Sequence, residues 1–189
     1  MPTQPSTRVC PFEIAGGLDN SIRRFLQNPQ KILCPFISKG MTVLDIGCGP
    51  GYFSIAMAQL LSGEGKVIAA DLQDGMLEKI RQKIKGTNLE QIIELHKCGE
   101  TSIGVTENVD FILAFYMIHE VPDRDKFLKQ LFSILKPDGK MFIVEPKIHV
   151  SPKAFESMVE YLTTNGLEIL ERPKVFFSRT IVIRKRKPV

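Results

Sequence analysis

An acid stands directly ahead of nearly bare backbone in VLDIGCGPGYF, Val43 to Phe53, where Asp45 precedes Gly47, Gly49 and Gly51. Glycines at this spacing admit unusual dihedrals and remove side-chain bulk, so a ligand can approach the main chain and the amides that open a helix at Tyr52. Taken alone, such a loop is equally a tight strand-to-helix turn with no ligand. A second acid, Asp71, ends the run VIAAD 20 residues after Gly51. A carboxylate in that place can accept two hydrogen bonds from a ribose diol. The dinucleotide fingerprint G-x-G-x-x-G would need glycine where the chain has Tyr52. Asp45 would also repel a pyrophosphate, whereas it suits a ligand presenting an ammonium and a sulfonium. The chemistry expected is the binding of a cationic nucleoside.

Such residues need elements that bring them together. Apolar, β-rich runs predict strands over Thr42–Ile46, Lys66–Ala70, Gln91–Lys97, Val109–Phe115, Lys140–Glu145, Leu167–Glu171 and Lys174–Ile183. Helical spacing places Phe53, Ala56, Met57, Leu60 and Leu61 on one buried face, Met76, Leu77, Ile80 and Ile84 on a second, and Phe127, Leu128, Leu131, Ile134 and Leu135 on a third. Lys136-Pro137-Asp138-Gly139 is expected to stop the third helix and reverse the chain, because proline cannot continue a helix and glycine tolerates positive φ. Ser151-Pro152 should open a further helix and Asn165-Gly166 close it. This alternation predicts an α/β fold, a Rossmann-like doubly wound seven-stranded sheet. It is mainly parallel, with an antiparallel edge hairpin whose strands are parted by little more than Arg172 and Pro173. Residues 41–189 make the binding domain. Residues 1–40 read as a helical cap, edge cover or lid, with Asp19 capping a stripe of Ile22, Phe25 and Leu26 and a second start at Asn28-Pro29.

Size and composition fit one soluble domain, with 189 residues, 43% of them apolar and 24% charged. The net charge of +4 resides in Arg184, Lys185, Arg186 and Lys187, and the other 21 basic residues balance 21 acidic ones. A neutral body speaks against a nucleic-acid partner, and the basic run is expected to be a solvated chain end. Cys10, Cys34, Cys48 and Cys98 contain no C-x-x-C pair, so no metal is predicted and buried free thiols in a reducing cytoplasm are expected. The longest apolar run, Phe111–Ile118, is too short to span a bilayer, so no membrane is expected. Oligomeric state is not encoded legibly.

VLDIGCGPG, Asp71 with Leu72, AFYMIHEVPD and LKPDGKMFIVEP together resemble, in order, the motifs of the class I S-adenosylmethionine-dependent methyltransferases over roughly residues 41–146. The similarity is strongest to the small-molecule subgroup that includes ubiquinone/menaquinone and arsenite methyltransferases. The resemblance implies that Asp45 holds the methionine ammonium through water and that the backbone of Gly47, Cys48, Gly49 and Gly51 faces the methionine and ribose. It implies that Asp71 binds the ribose hydroxyls, that Leu72 and Met76 pack on adenine, and that Phe115 offers its carbonyl to the ammonium. Many relatives have an aspartate for the adenine amino group where HKCGE places Cys98, so Glu100 or the Gly99 amide takes that contact, or it is absent.

The resemblance makes the expected reaction an in-line methyl transfer from a sulfonium, to which the protein contributes alignment and the exclusion of water. A hydroxyl or carbon acid as acceptor needs a base; a thiolate or amine does not. His119 is the candidate base, with a helix cap or a partner for Glu120 as the equal alternative. Tyr116 and Glu145 are candidate walls of the acceptor cavity, with a core role for Tyr116 and a lysine partner for Glu145 as alternatives. His96 and His149 read as surface residues. Ala114-Phe115-Tyr116-Met117 stands where amide- and base-methylating relatives carry [DN]-P-P-[YF], which leaves a small, partly apolar acceptor. Phe12, Ile22, Phe25 and Phe36 are its candidate cover, with a core role as the equal alternative for each. The competing classes are a nicotinamide-dependent oxidoreductase, which Tyr52 and Asp45 disfavour, and a non-catalytic regulatory protein binding the same cofactor.

Overall fold

β-branched and apolar runs become strands where the pattern predicts them. They are β1 (Thr42–Ile46), β2 (Lys66–Asp71), β3 (Ile93–Lys97), β4 (Val109–Phe115), β5 (Leu135–Pro146), β6 (Leu167–Glu171) and β7 (Ser178–Lys185). The computed structural model describes residues 27–187, and in it these strands form one sheet in the order β3-β2-β1-β4-β5-β7-β6. Neighbours from β3 to β5 run parallel, and β7 lies antiparallel between β5 and β6.

The helices are α1 (Pro29–Leu33), α2 (Tyr52–Leu61), α3 (Asp74–Ile84), α4 (Arg124–Ile134) and α5 (Pro152–Thr164). Side chains alternate across a strand, so the sheet has two apolar faces. Val43, Val67, Phe111 and Phe142 meet α1, α2 and α3 on one; Leu44, Ile68, Ile112 and Met141 meet α4 and α5 on the other. Caps follow local chemistry: Asn28 accepts from the Lys31 amide, Asp123 from that of Lys126 and Ser151 from that of Ala154. Gly166, at φ 87°, turns the chain after α5.

Several expectations need correction. β3 begins at Ile93, because Asn88–Gln91 forms a 3-10 turn capped by Thr87. Lys136-Pro137-Asp138-Gly139 lies within β5 as a bulge, where the pairing steps from Val109↔Leu135 to Phe111↔Lys140. Gly139 is not at positive φ. Glycine is required there because a Cβ would lie 2.7 Å from Leu135 Cδ1 and 3.1 Å from the Asp110 carbonyl. β6 and β7 do form the edge hairpin, but through the six residues Arg172–Phe177, since β7 starts only at Ser178. The basic run is not a loose end: Arg184 and Lys185 belong to β7, Arg184 pairs with Glu168, and Lys187 reaches Asp138 at 3.3 Å. Cys34 is exposed, whereas Cys48 and Cys98 are buried.

Phe36 lies under the sheet, stacked on Phe111 with ring centroids 5.8 Å apart, and so belongs to the core rather than to a cover. Cys10, Phe12, Asp19, Ile22, Phe25 and Leu26 fall outside the described residues.

Candidate functional site

β1 connects outward to β2 on one side and pairs with β4 on the other, so a crevice opens beyond their carboxyl ends, where open α/β sheets place ligands. The glycine loop lies there, and its amides are already engaged. Those of Gly47 and Cys48 both donate to the Ala70 carbonyl, at 2.8 and 3.1 Å. The Gly49 amide donates to Asp71 Oδ2 at 2.9 Å. The loop is therefore bound to the end of β2, and those three N–H groups do not form a nest for phosphate, which counts against a nicotinamide dinucleotide. Gly49 has φ 53°, and among the described residues nothing lies within 4 Å of where its Cβ would stand, so its main chain is left uncovered by them beside Asp71. Gly47 is bare for another reason: a Cβ there would meet that of Met117 at 2.8 Å.

Both acids are buried at this point. Asp45 is 2% exposed and accepts from Ser54 Oγ at 2.5 Å. Burial pushes its carboxyl up to about 7; the Ser54 hydrogen bond opposes this and the charge of Asp71 adds to it. Neither neighbour is cationic, so a positive ligand group would supply the missing counter-charge. Asp71 is also raised by burial, against the opposing amides of Gln73 and Gly49. Each of its oxygens accepts one backbone bond, which leaves further lone pairs on both. Burial and nearby acids raise the Cys48 thiol, and burial raises that of Cys98 to about 11, so both are inert packing groups.

Across the crevice, β4 ends at Phe115, whose ring lies 4.2 Å from that of Phe53 and 4.5 Å from that of Tyr116. Tyr116 has φ 59°, a left-handed conformation that costs a non-glycine residue about 1–2 kcal/mol. Its hydroxyl holds it there, bonded to Ser178 Oγ and to Gln27 Nε2, each at 2.6 Å. Tyr52 OH donates to the Gln27 carbonyl at 3.2 Å, so residue 27 enters at the rim of the crevice.

The 3-10 turn Ile118–Glu120 follows, and His119 Nδ1 lies 2.5 Å from Glu145 Oε2. Glu120 is farther away, 4.0 Å from Nε2. The glutamate selects His119 rather than a lysine, and its other oxygen accepts the Ile118 amide at 3.0 Å. Burial opposes protonation of the imidazole, but the bond and charge of Glu145, helped by Glu120, outweigh it and raise the pKa. His149 is exposed but not isolated: its ring stacks on that of His119 with centroids 5.4 Å apart and planes at 4°. His96 is half-buried, with Nε2 2.8 Å from the Ile103 carbonyl.

The fold thus gathers Asp45, Gly47, Cys48, Gly49, Gly51 and Asp71 at one loop, with Phe115, Tyr116, His119 and Glu145 at the ends of β4 and β5. Leu72, beside Asp71, is 36% exposed, and Met76 is buried on α3. The Cys98 amide donates to the Asp71 carbonyl, which places Cys98 next to the second acid. Gly99 gives its amide to Ser102 O, and Glu100 is exposed. Ser54 was missed by sequence reasoning, although a hydroxyl on the apolar face Phe53-Ala56-Met57 was a visible sign. Gln27 and Ser178 carried no such sign, because the fold alone brings them to Tyr116.

Residues 37–174 match the family described as "Methyltransferase domain". Over 117 residues the chain is 33% identical to the demethylmenaquinone methyltransferase of Lactobacillus johnsonii, covering 61% of this chain and 48% of that protein. Over 128 residues it is 28% identical to the ubiquinone/menaquinone biosynthesis C-methyltransferase UbiE of Escherichia coli, covering 66% and 51%. The chain spans about half the length of these curated relatives. Among solved structures, a SAM-dependent methyltransferase from Aquifex aeolicus superposes with TM-score 0.79 at 26% identity, covering 93% of this chain and 98% of that one. A SAM-dependent O-methyltransferase from Thermotoga maritima shares the fold at TM-score 0.67 and 17% identity, with coverages of 86% and 66%. With its strand order, its acid-flanked glycine loop and a match over most of its length, the chain belongs to the methyltransferase domain family.

Proposed function

We propose that this protein is an S-adenosylmethionine-dependent methyltransferase acting on a small-molecule acceptor that gives up a proton. The observation that carries the reading is Asp45, a buried acid with no cationic neighbour among the described residues, beside a loop whose Gly47, Cys48 and Gly49 amides are engaged by the end of β2. The residues fit the cofactor: Asp45 answers its ammonium, Asp71 its ribose diol, and the open main chain at Gly49 allows close approach. In this reading the backbone of Gly47, Cys48 and Gly51 completes the cradle, Leu72 and Met76 flank the adenine, and the Phe115 carbonyl faces the ammonium. The Gly99 amide being engaged, Glu100 is the remaining candidate at the adenine edge. When bound, the cofactor supplies a methyl group on a sulfonium, whose departure leaves a neutral thioether.

The chain's own contribution is alignment, dryness and proton removal. His119 stands at the end of β4 with Nδ1 committed to Glu145, which leaves Nε2 as the basic atom. A base is superfluous for a thiolate or free amine, so the acceptor is taken to be a hydroxyl or carbon acid, in keeping with the relatives' names. Tyr116 lines that side. The unpaired Cys34, Cys48 and Cys98 fit a cytoplasmic setting.

Thermal shift with S-adenosylmethionine, S-adenosylhomocysteine and NAD tests the cofactor. Binding at 100-fold excess over Kd stabilises by about 2.7 kcal/mol. Both sulfur nucleosides should raise Tm; stabilisation by NAD alone refutes the reading. A methylation screen of a metabolite pool with labelled donor then finds the acceptor. On it, His119→Ala should lower turnover roughly 10²–10⁴-fold with little change in homocysteine-product binding.

A further inference from the structure

Glu145 is 1% exposed, at the sheet's core, on the strand that pairs with β4 and β7. A carboxylate at that depth is costly unless its oxygens are satisfied. Here both are, by two groups of one short segment: Oε1 accepts the Ile118 amide at 3.0 Å, and Oε2 meets His119 Nδ1 at 2.5 Å. Arg179, its register partner on β7, donates Nε to the Val150 carbonyl, and no lysine pairs with Glu145 among the described residues. The carboxylate is thus directed entirely at the turn that bears the imidazole. That turn touches the cofactor loop, since Met117, two residues before His119, packs against Gly47.

We infer that Glu145 is a positioning residue for methyl transfer, fixing His119 as the Nδ1–H tautomer and strengthening Nε2 as a base, rather than a wall of the acceptor site. The inference deepens the assignment of His119 as base and rests on it. A carboxylate can only accept, so the shared proton sits on Nδ1 and the lone pair is on Nε2. In the step itself the acceptor atom loses its proton to Nε2 and gains the methyl carbon. The carbon–sulfur bond breaks with its electron pair left on sulfur, and the imidazolium formed lies against the Glu145 charge. Three other features bear on this ring: Glu120 on its own turn favours the charged form, burial opposes it, and His149 stacked on it opposes it whenever both rings are protonated.

The test is nitrogen-detected NMR of labelled histidine in the full chain, without acceptor. Wild-type His119 should show the Nδ1–H tautomer and titrate above 6.5, the ordinary histidine value. In Glu145→Gln, which keeps the shape and the bond to Ile118, that pKa should drop by about one unit or more, because burial then acts without the opposing charge. Glu145→Asp, with the charge withdrawn by one methylene, should fall between. With the acceptor found by the pool screen, the alkaline-going limb of kcat should move down in pH with the His119 pKa, while KM for the cofactor stays unchanged. An Nε2–H tautomer in wild type, titration below the ordinary value, or an unshifted pKa in a folded Glu145→Gln protein would overturn the inference. The wild-type titration decides even if no variant folds. Failure to bind the sulfur nucleosides sinks the cofactor assignment and leaves this titration standing, so the two failures are distinguishable.

Discussion

On the proposed assignment, Asp45 would join cofactor binding to pH. Burial holds it near 7, so without ligand at neutral pH it is roughly half protonated, and an ammonium can be held only by the ionised form. Affinity for S-adenosylhomocysteine should therefore fall as pH drops below 7, approaching tenfold per unit, and binding at pH 6.5 should release a proton. Calorimetry in two buffers of different ionisation enthalpy measures that release; a buffer-independent heat would refute it. Ser54 opposes the burial effect, so Ser54→Ala should move the limb to higher pH and weaken binding at neutrality. Asp45 and Asp71 were legible in the sequence because Asp45 is the penultimate residue of β1, just ahead of the glycines, and Asp71 ends β2 shortly before a helix start. The hydroxyl of Ser54 was visible but its partner was not, nor was the partner of Glu145, because helix rotation and β4–β5 register choose them across 9 and 26 residues.

Elements position these groups through local irregularities as much as through regular strands. The bulge in β5 lets Asp110 accept both from the Thr42 amide and from Lys136 Nζ, tying β4 to the start of β1. Gly139 fits there only without a side chain. Gly139→Ala should destabilise by about 1–3 kcal/mol through overpacking, read as a lower denaturant midpoint, with nucleoside affinity retained because the crevice lies at the opposite end of β4. The motif Lys-Pro-Asp-Gly was legible as a chain reversal. Its inclusion in the strand was not, because a bulge is defined by the partner's hydrogen bonds, which local turn chemistry does not encode. The late start of β7 has a similar origin: Val175 and Phe176–Phe177 have strand-like composition, yet Phe177 takes φ 54° and breaks the run.

For the whole molecule, the order β3-β2-β1-β4-β5-β7-β6 follows from the alternation of periods and the reversed final strand, and that much was readable in advance. The burial that shapes the site also sets stability against pH. Asp45 and His119 both have raised folded-state values, so each contributes most below its unfolded pKa, and that contribution is lost as pH rises through the folded one. The ligand-free protein should lose Tm from about pH 4 to somewhat above 7. Saturating S-adenosylhomocysteine should flatten the loss between 6 and 8, since it supplies the counter-charge of Asp45; parallel curves with and without it would contradict the scheme.

The engaged amides of Gly47, Cys48 and Gly49 have one more consequence. Most adenine in a cell comes attached to phosphate, at concentrations that would swamp a rarer adenosine compound in any pocket reading only base and sugar. Here a nucleoside tri- or diphosphate would present its negative tail to two acids and would find the Gly47, Cys48 and Gly49 amides already engaged. On the proposed assignment the crevice would select against the abundant competitor, and would do so with main chain that no side-chain substitution directly rewrites.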